Sequence, residues 1–225
     1  MILIFIAGAS GSGKTTLANM LVERLNQSGK TGRLLSMDDY YFEIPEGVDL
    51  HHFRNNTNFD RLEMCDQSLL INHLMALHNG QTITKPIFDF PTNRRLSTEI
   101  VSPPEFLVVE GLFALCIAKN LPISNDIAKL TVFTGTSSYL GLINTRVTRD
   151  VNERNRQPED VWRQERKFVG PGFFNTIAKS KNGVDIDVLN DPRLDTNKPH
   201  PLENAVDDII SALEDKQALI RGCKA

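Results

Sequence analysis

The chain opens on an unbroken apolar run. Residues 2–7 contain no polar side chain and favour branched ones, the pattern of a strand buried on both faces. Leu17, Met20, Leu21 and Leu25 then recur at helical spacing, and this helix is expected to end near Ser28-Gly29-Lys30, where glycine can take the left-handed cap. A second strand is expected over about 31–37, ending in Asp38-Asp39-Tyr40-Tyr41. Residues 43–58 are polar and broken by Pro45 and Gly47, and read as irregular. Leu62, Leu69, Leu70, Leu74 and Leu77 mark another helix, closed by Asn79-Gly80. Two short β-prone segments flank Asp89-Phe90-Pro91-Thr92-Asn93 and predict a hairpin over about 82–101.

Phe106-Leu107-Val108-Val109 has no alternation, so it reads as a second fully buried strand, ended by Glu110-Gly111. Further strands are expected over 130–134 and 184–189. Leu140, Ile143 and Val147 give an apolar stripe leading into Arg149 and Arg154. Leu202, Val206, Ile209, Ile210 and Leu213 form a last amphipathic helix, after which the polar tail, about 215–225, is expected to fray. Strands alternating with helices imply an α/β fold: a parallel sheet, right-handed crossovers, and helices on both faces.

With 225 residues, 40% of them apolar, the chain suits one domain over 1–225. The formal net charge of −3 is spread over mixed charges with no long basic run. That leaves no electrostatic footprint for duplex nucleic acid or an anionic membrane, and points to small-molecule partners. Cys65, Cys116 and Cys223 are odd in number and widely spaced, which fits reduced thiols and a cytoplasmic location. The apolar start lacks the basic flank of a signal peptide, and no other stretch approaches the roughly 20 apolar residues that span a bilayer.

Chemistry enters at Gly8-Ala9-Ser10-Gly11-Ser12-Gly13-Lys14-Thr15, which fits G-x-x-x-x-G-K-[ST] between a strand and a helix. Backbone N–H groups and the helix dipole there converge on phosphates, Lys14 reaches the terminal ones, and the Thr15 hydroxyl serves as a magnesium ligand. The sheet is therefore of the P-loop NTPase type. Glu110, at the end of a buried strand, is placed to complete the magnesium site. Asp38 or Asp39 is expected to receive a hydroxyl proton, the alternative being a turn that uses aspartate for local hydrogen bonds. Arg146, Arg149, Arg154 and Arg156, interleaved with Asp150 and Glu153, read either as a solvated helical face or as a lid closing on polyphosphate. Asp60-x-x-Glu63 resembles a capping box, compatible with ligand binding. His51 and His52 lack metal-like partners, and Trp162, Phe168, Phe173 and Phe174 read as packing.

Taken in order, the phosphate loop with Thr16, Ser36-Met37-Asp38-Asp39-Tyr40-Tyr41, Asn58-Phe59-Asp60, Pro86-Ile87-Phe88-Asp89-Phe90, Val109-Glu110-Gly111 and Arg149-Asp150-x-x-Glu153-Arg154-x-Arg156 resemble the uridine kinase family over about residues 1–190. The resemblance implies a cytosolic enzyme that moves the γ-phosphate of ATP or GTP to the 5′-hydroxyl of uridine or cytidine with magnesium, in a family whose members are frequently homotetramers. It implies Asp38 as general base, with Lys14 and Arg149 catalytic. Nucleotide would be held by Gly8, Ala9, Ser10, Gly11, Ser12, Gly13, Lys14, Thr15, Thr16, Arg154 and Arg156. Magnesium would be held by Thr15, Glu110 and Asp38. The acceptor set is Asp38, Tyr40, Asp60 for ribose, Phe88, Asn93, Arg146, Arg149 and Arg154, under a helical lid of about 149–180.

The chain departs from the family pattern in few places. Where a tyrosine and then a histidine are usual, it has Phe88, which keeps an aromatic face without a hydroxyl, and Asn93, which donates and accepts but does not titrate. Asn155 replaces a glycine. The rival acceptors are nicotinamide riboside, pantothenate and a sugar phosphate. The rival from another class is an ATP-sensing regulatory module; no Asn-Lys-x-Asp guanine-reading motif supports a GTPase.

Overall fold

Apolar runs ended by glycine or charge set the strands of the computed structural model, which describes residues 1–122, 128–191 and 200–222. In chain order, β1 (Ile2–Gly8) leads through the loop to α1 (Lys14–Gln27), β2 (Gly32–Ser36), α2 (Leu50–Asn56) and α3 (Gln67–His78). The hairpin β3 (Ile83–Asp89) and β4 (Arg94–Val101) follows, then β5 (Phe106–Glu110), α4 (Ala114–Asn120), β6 (Lys129–Gly135) and α5 (Tyr139–Glu153). After α6 (Pro158–Gln164) the backbone continues through π and 3₁₀ turns around the short α7 (Gly170–Gly172) to Lys181. The chain ends in β7 (Ile186–Leu189) and α8 (Pro201–Gly222).

Five strands form one parallel sheet in the order β2-β5-β1-β6-β7. Alternation along β1 explains its two cores. Leu3, Phe5 and Ala7 face α3, α4 and α5, while Ile4 and Ile6 face Leu17, Leu21 and Leu25 of α1 and Val206 and Ile209 of α8. Each fully buried leucine or phenylalanine there stabilises by about 1.5–3 kcal/mol. Because β2 and β5 lie to one side of β1 and β6 to the other, the loop after β1 leaves the sheet where its order reverses, the place where open α/β sheets bind ligands.

Several elements differ from the sequence expectation. The stretch expected to be irregular contains α2, which buries none of its residues and so shows no apolar period; Asp49 caps it by accepting from the His52 N–H at 2.7 Å. The seven-residue helix α4 was not anticipated. Helix α3 starts later than read: its cap is Asp66, which accepts from Leu69 N–H at 3.0 Å, and Leu62 lies in a separate 3₁₀ turn, so Asp60 caps nothing. Helix α8 extends through Gly222 into the polar tail read from about 215, and residues 223–225, with Cys223, lie outside the described residues. Cys65 and Cys116 are free thiols.

The hairpin matches expectation, with Ile83 opposite Val101 and a bulge between Ile87 and Phe88. Phe88 is buried, while Leu96 and Ile100 on the outer face are exposed.

Candidate active site

Charged side chains reach the carboxyl edge of the sheet from β1, β2 and β5. Gly13, at φ 88°, takes the left-handed conformation glycine permits and caps α1, so Lys14 and Thr15 open the helix at its electropositive end. Thr15 Oγ1 donates to Glu110 Oε2 at 3.1 Å, and Ser36 Oγ donates to Glu110 Oε1 at 2.6 Å. Glu110 is 1% exposed, and burial raises its carboxyl above the usual range; Lys14 opposes that shift and Asp38 adds to it. The hydroxyl and carboxylate oxygens are hard donors of the kind magnesium takes, and among the described residues no cluster of three or more His, Cys, Asp or Glu forms a protein-only metal cage.

Beyond β2, Met37–Tyr40 forms a 3₁₀ turn whose cap, Ser36 Oγ, accepts from Asp38 N–H at 3.3 Å. Three residues per turn put Asp38 and Tyr41 on one face, and both line the cleft. Asp39 lines only the open groove. It accepts from Lys85 Nζ at 2.6 Å and from Phe88 N–H at 3.2 Å, and so ties the hairpin to the sheet. Tyr40, expected at the acceptor, is instead fully buried with its hydroxyl 2.9 Å from His73 Nδ1; the turn that presents Asp38 sends the next-but-one residue into the core. Tyr41 is the tyrosine of the cleft.

Two clefts meet here. An open groove is lined by Gly11, Gly13, Lys14, Thr15, Thr16 and Glu110. A more enclosed cleft is lined by Ser10, Tyr41, Asp60, Phe88, Phe90 and Asn93. Lys14, Asp38, Phe90, Arg149 and Arg154 line both. Gly8, Ala9 and Ser12 line neither. They shape the loop from behind: Gly8 abuts the Thr134 carbonyl too closely for any Cβ, and the Ser12 carbonyl accepts from Asn190 Nδ2 at 3.0 Å.

The arginines are not a solvated face. Arg146 is buried and donates to Glu165 Oε2 at 2.6 Å; Arg149 donates to Asp150 Oδ1 at 2.6 Å and to Ser10 Oγ at 2.9 Å. Arg154 lies 3.5 Å from Asp150, 3.9 Å from Asp38 and 3.6 Å over the Phe90 ring. Burial would raise the Asp150 carboxyl, but Arg149, Arg154 and Arg146 override it and hold it below the usual range. Arg156, expected on the nucleotide, lines only the enclosed cleft, donating to Gln164 Oε1 at 2.7 Å. Between them Asn155 stands at φ 50°, a conformation asparagine tolerates, and this turn separates Arg156 from Arg154.

At the acceptor end, Asp60 Oδ2 is shut off from solvent with no hydrogen-bond partner. Burial raises its carboxyl above the usual range, with Arg146 opposing. Tyr41 packs edge-on to Phe59 at 6.1 Å, and Phe88 to Phe90 at 5.4 Å. Phe168, read as packing, also lines this cleft, whereas Phe173 stacks on Tyr139 at 4.9 Å. Sequence reasoning missed Arg54, Thr57 and Gln164. Arg54 donates from Nε to Asn93 Oδ1 at 2.8 Å and from Nη2 to the Phe90 carbonyl, and Gln164 Nε2 donates to the Arg54 carbonyl. The one signal for this region was the helix cap at Asp49. His51 lies 3.2 Å from Asp160 Oδ2, outside either cleft.

Comparison with known proteins fits this geometry. The sequence model of the phosphoribulokinase / uridine kinase family matches residues 3–197. A uridine kinase of Ureaplasma urealyticum serovar 10 is 36% identical over 189 residues, 84% of this chain and 87% of that one. The uridine kinase of Escherichia coli K12 is 33% identical over 187 residues, 82% and 85% of the two chains. Among solved structures, D-glycerate 3-kinase from Cryptococcus neoformans var. grubii is similar in fold, with a TM-score of 0.57 at 16% identity over 83% of each chain. No helix among the described residues is long and apolar enough to cross a membrane.

Proposed function

The chain belongs to the phosphoribulokinase / uridine kinase family, and we propose that this P-loop kinase transfers the γ-phosphate of ATP to the 5′-hydroxyl of a pyrimidine ribonucleoside. The observation that carries the reading is the meeting of an open groove and an enclosed cleft at Lys14, Asp38, Arg149 and Arg154. A triphosphate in the groove and an alcohol in the cleft would face each other there, as in-line transfer requires. The names of the relatives support a nucleoside as that alcohol.

Each residue then has a role that its surroundings favour. Asp38 orients the hydroxyl and accepts its proton, because Asp39 is already held by Lys85 and the Phe88 amide. Lys14, Arg149 and Arg154 offset charge on the transferring group. Asp60, its inner oxygen unpartnered, accepts from sugar hydroxyls. Tyr41, Phe88 and Phe90 give a flat ring apolar faces. Thr15, Glu110 and Asp38 offer the oxygens for magnesium, which when bound neutralises phosphate charge. Residues 149–180 close over the pair as a lid and exclude water.

The test is ADP release from ATP and magnesium, with and without added alcohols. Uridine or cytidine is expected to raise the rate about 100-fold or more over unassisted hydrolysis. A rate raised only by nicotinamide riboside, pantothenate or a sugar phosphate reassigns the acceptor. A rate that none of them raises makes the protein a nucleotide sensor.

A further inference from the structure

The phosphate loop is held from behind by a side chain far away in sequence. Asn190, the residue after the edge strand β7, donates from Nδ2 to the Ser12 carbonyl at 3.0 Å, across 178 positions. A carbonyl has no proton to give, so the atom that meets it must be the amide nitrogen. Asn190 is itself anchored. Its N–H donates to the Gly135 carbonyl at 2.7 Å, which carries the ladder between β6 and β7 one residue past the strand, and Asp191 beside it accepts from Ser137 N–H at 2.7 Å. The Asn190 amide lies against Gly13, where a Cβ would collide with Nδ2, and Leu202 of α8 stands just beyond. The Ser12 hydroxyl supplies no second hold, being buried without a hydrogen-bond partner among the described residues.

The peptide between Ser12 and Gly13 is the part of the loop this contact governs. It is trans, so its C=O and N–H point opposite ways, and a carbonyl held by Asn190 leaves the Gly13 N–H on the far side. Gly13, at φ 88°, has no Cβ to resist a flip of this peptide, since glycine populates positive and negative φ about equally. Backbone preference alone therefore leaves two orientations open, one presenting an N–H to the groove that Gly13 lines and one presenting a carbonyl oxygen.

We propose that Asn190 is a positioning residue for the phosphate loop: it fixes this peptide so that the Gly13 N–H, and not the Ser12 carbonyl, faces the triphosphate. The inference rests on the open groove being the nucleotide site, and so deepens the reading above. An N–H turned to a phosphate is one of the donors that converge on it, whereas a carbonyl oxygen sets negative charge against negative. The end of β7 thereby acts on the nucleotide through the loop.

The experiment measures, by calorimetry on the full chain with magnesium, the affinities of inorganic tripolyphosphate and of ATP, beside steady-state kinetics, for wild type, Asn190→Leu and Asn190→Ala. Leucine keeps the branched shape against Gly13 but has no donor. Both variants are expected to weaken tripolyphosphate and ATP alike by about 10-fold, the worth of one oriented hydrogen bond, and to raise KM for ATP with KM for the acceptor unchanged. Equal loss on the two probes marks the loop, because tripolyphosphate has no base or sugar for the Asn190 amide to touch. ATP weakened with tripolyphosphate unchanged overturns the proposal, since Asn190 then contacts the nucleoside half. Loss in Asn190→Ala with wild-type affinity in Asn190→Leu overturns it in favour of packing alone, and a parallel rise in KM for the acceptor overturns it as a general loss of structure. If Asn190→Leu fails to fold, Asn190→Ala carries the test, and its binding tripolyphosphate as tightly as wild type overturns the proposal. A wild type that binds neither probe overturns this inference and the kinase reading together, whereas one that binds both and turns over no acceptor overturns the kinase reading only.

Discussion

At the phosphate end one short segment supplies Gly11, Gly13, Lys14, Thr15 and Thr16, whereas at the acceptor end Arg54, Asp60, Phe88, Asn93 and Gln164 come from α2, the loop after it, the hairpin and α6. The first is held by backbone geometry on a strand buried on both faces. Its tools are N–H groups and a helix dipole, which almost any flanking side chain would leave intact. The second is held by side chains reaching between elements: Asp39 to Lys85, Arg54 to Asn93, and Gln164 to the Arg54 carbonyl. A site of the first kind tolerates sequence drift around it; one of the second changes specificity when a single partner changes.

Substitutions at the join and on each side should separate the two ends. Asp38→Asn, at the join, is expected to lower kcat by about 10³- to 10⁴-fold with little change in either KM, read by steady-state kinetics. Retained turnover would move the proton acceptor elsewhere. Lys85→Met leaves Asp39 and Glu99 without their shared cation and removes the tie between hairpin and sheet. It should cost about 3 kcal/mol of stability and raise KM for the acceptor while KM for ATP stays put. If KM for ATP rises in parallel, the two ends are not built independently.

Asp60→Asn is the smallest of the three, a loss of about 100-fold or less in kcat/KM for the nucleoside. It also carries a sign. Because burial raises the Asp60 carboxyl, keeping it charged costs the folded state stability at neutral pH, and that cost vanishes as pH falls below the ordinary aspartate value of 3.8. The asparagine variant should therefore melt higher than wild type at pH 7, with the gap closing as the solution is acidified. An unchanged melting temperature at pH 7 would mean the buried oxygen bears no strain.

Legibility followed the same division. The phosphate loop, the pair Asp38 and Glu110, and the hairpin could be read directly, because each declares itself within a few residues: a glycine spacing, an acid after a buried strand, two β-prone runs around a turn. Tyr40 was misread for want of the 3₁₀ turn, which decides that Asp38 and Tyr41, and not Tyr40, share a face. Arg156 was assigned to the nucleotide because spacing along the motif does not show the left-handed Asn155 that parts it from Arg154. Phe168 read as core since an aromatic lining a cleft looks, in sequence, like any buried ring.

By itself the sequence determined the α/β sheet, the phosphate loop at its switch point and the presence of acids beside it, since hydrophobic period and glycine spacing are local and survive without knowing what packs against what. Only the tertiary structure decided which of two adjacent aspartates lines the enclosed cleft, that four arginines turn toward Asp150 or the cleft instead of lying in solvent, and that Arg54 fixes the orientation of Asn93. The arginines meet Asp150 within one helical turn, but the contacts that turn them and Asn93 inward join residues 19 to 139 positions apart, and contacts at that separation leave no period to read.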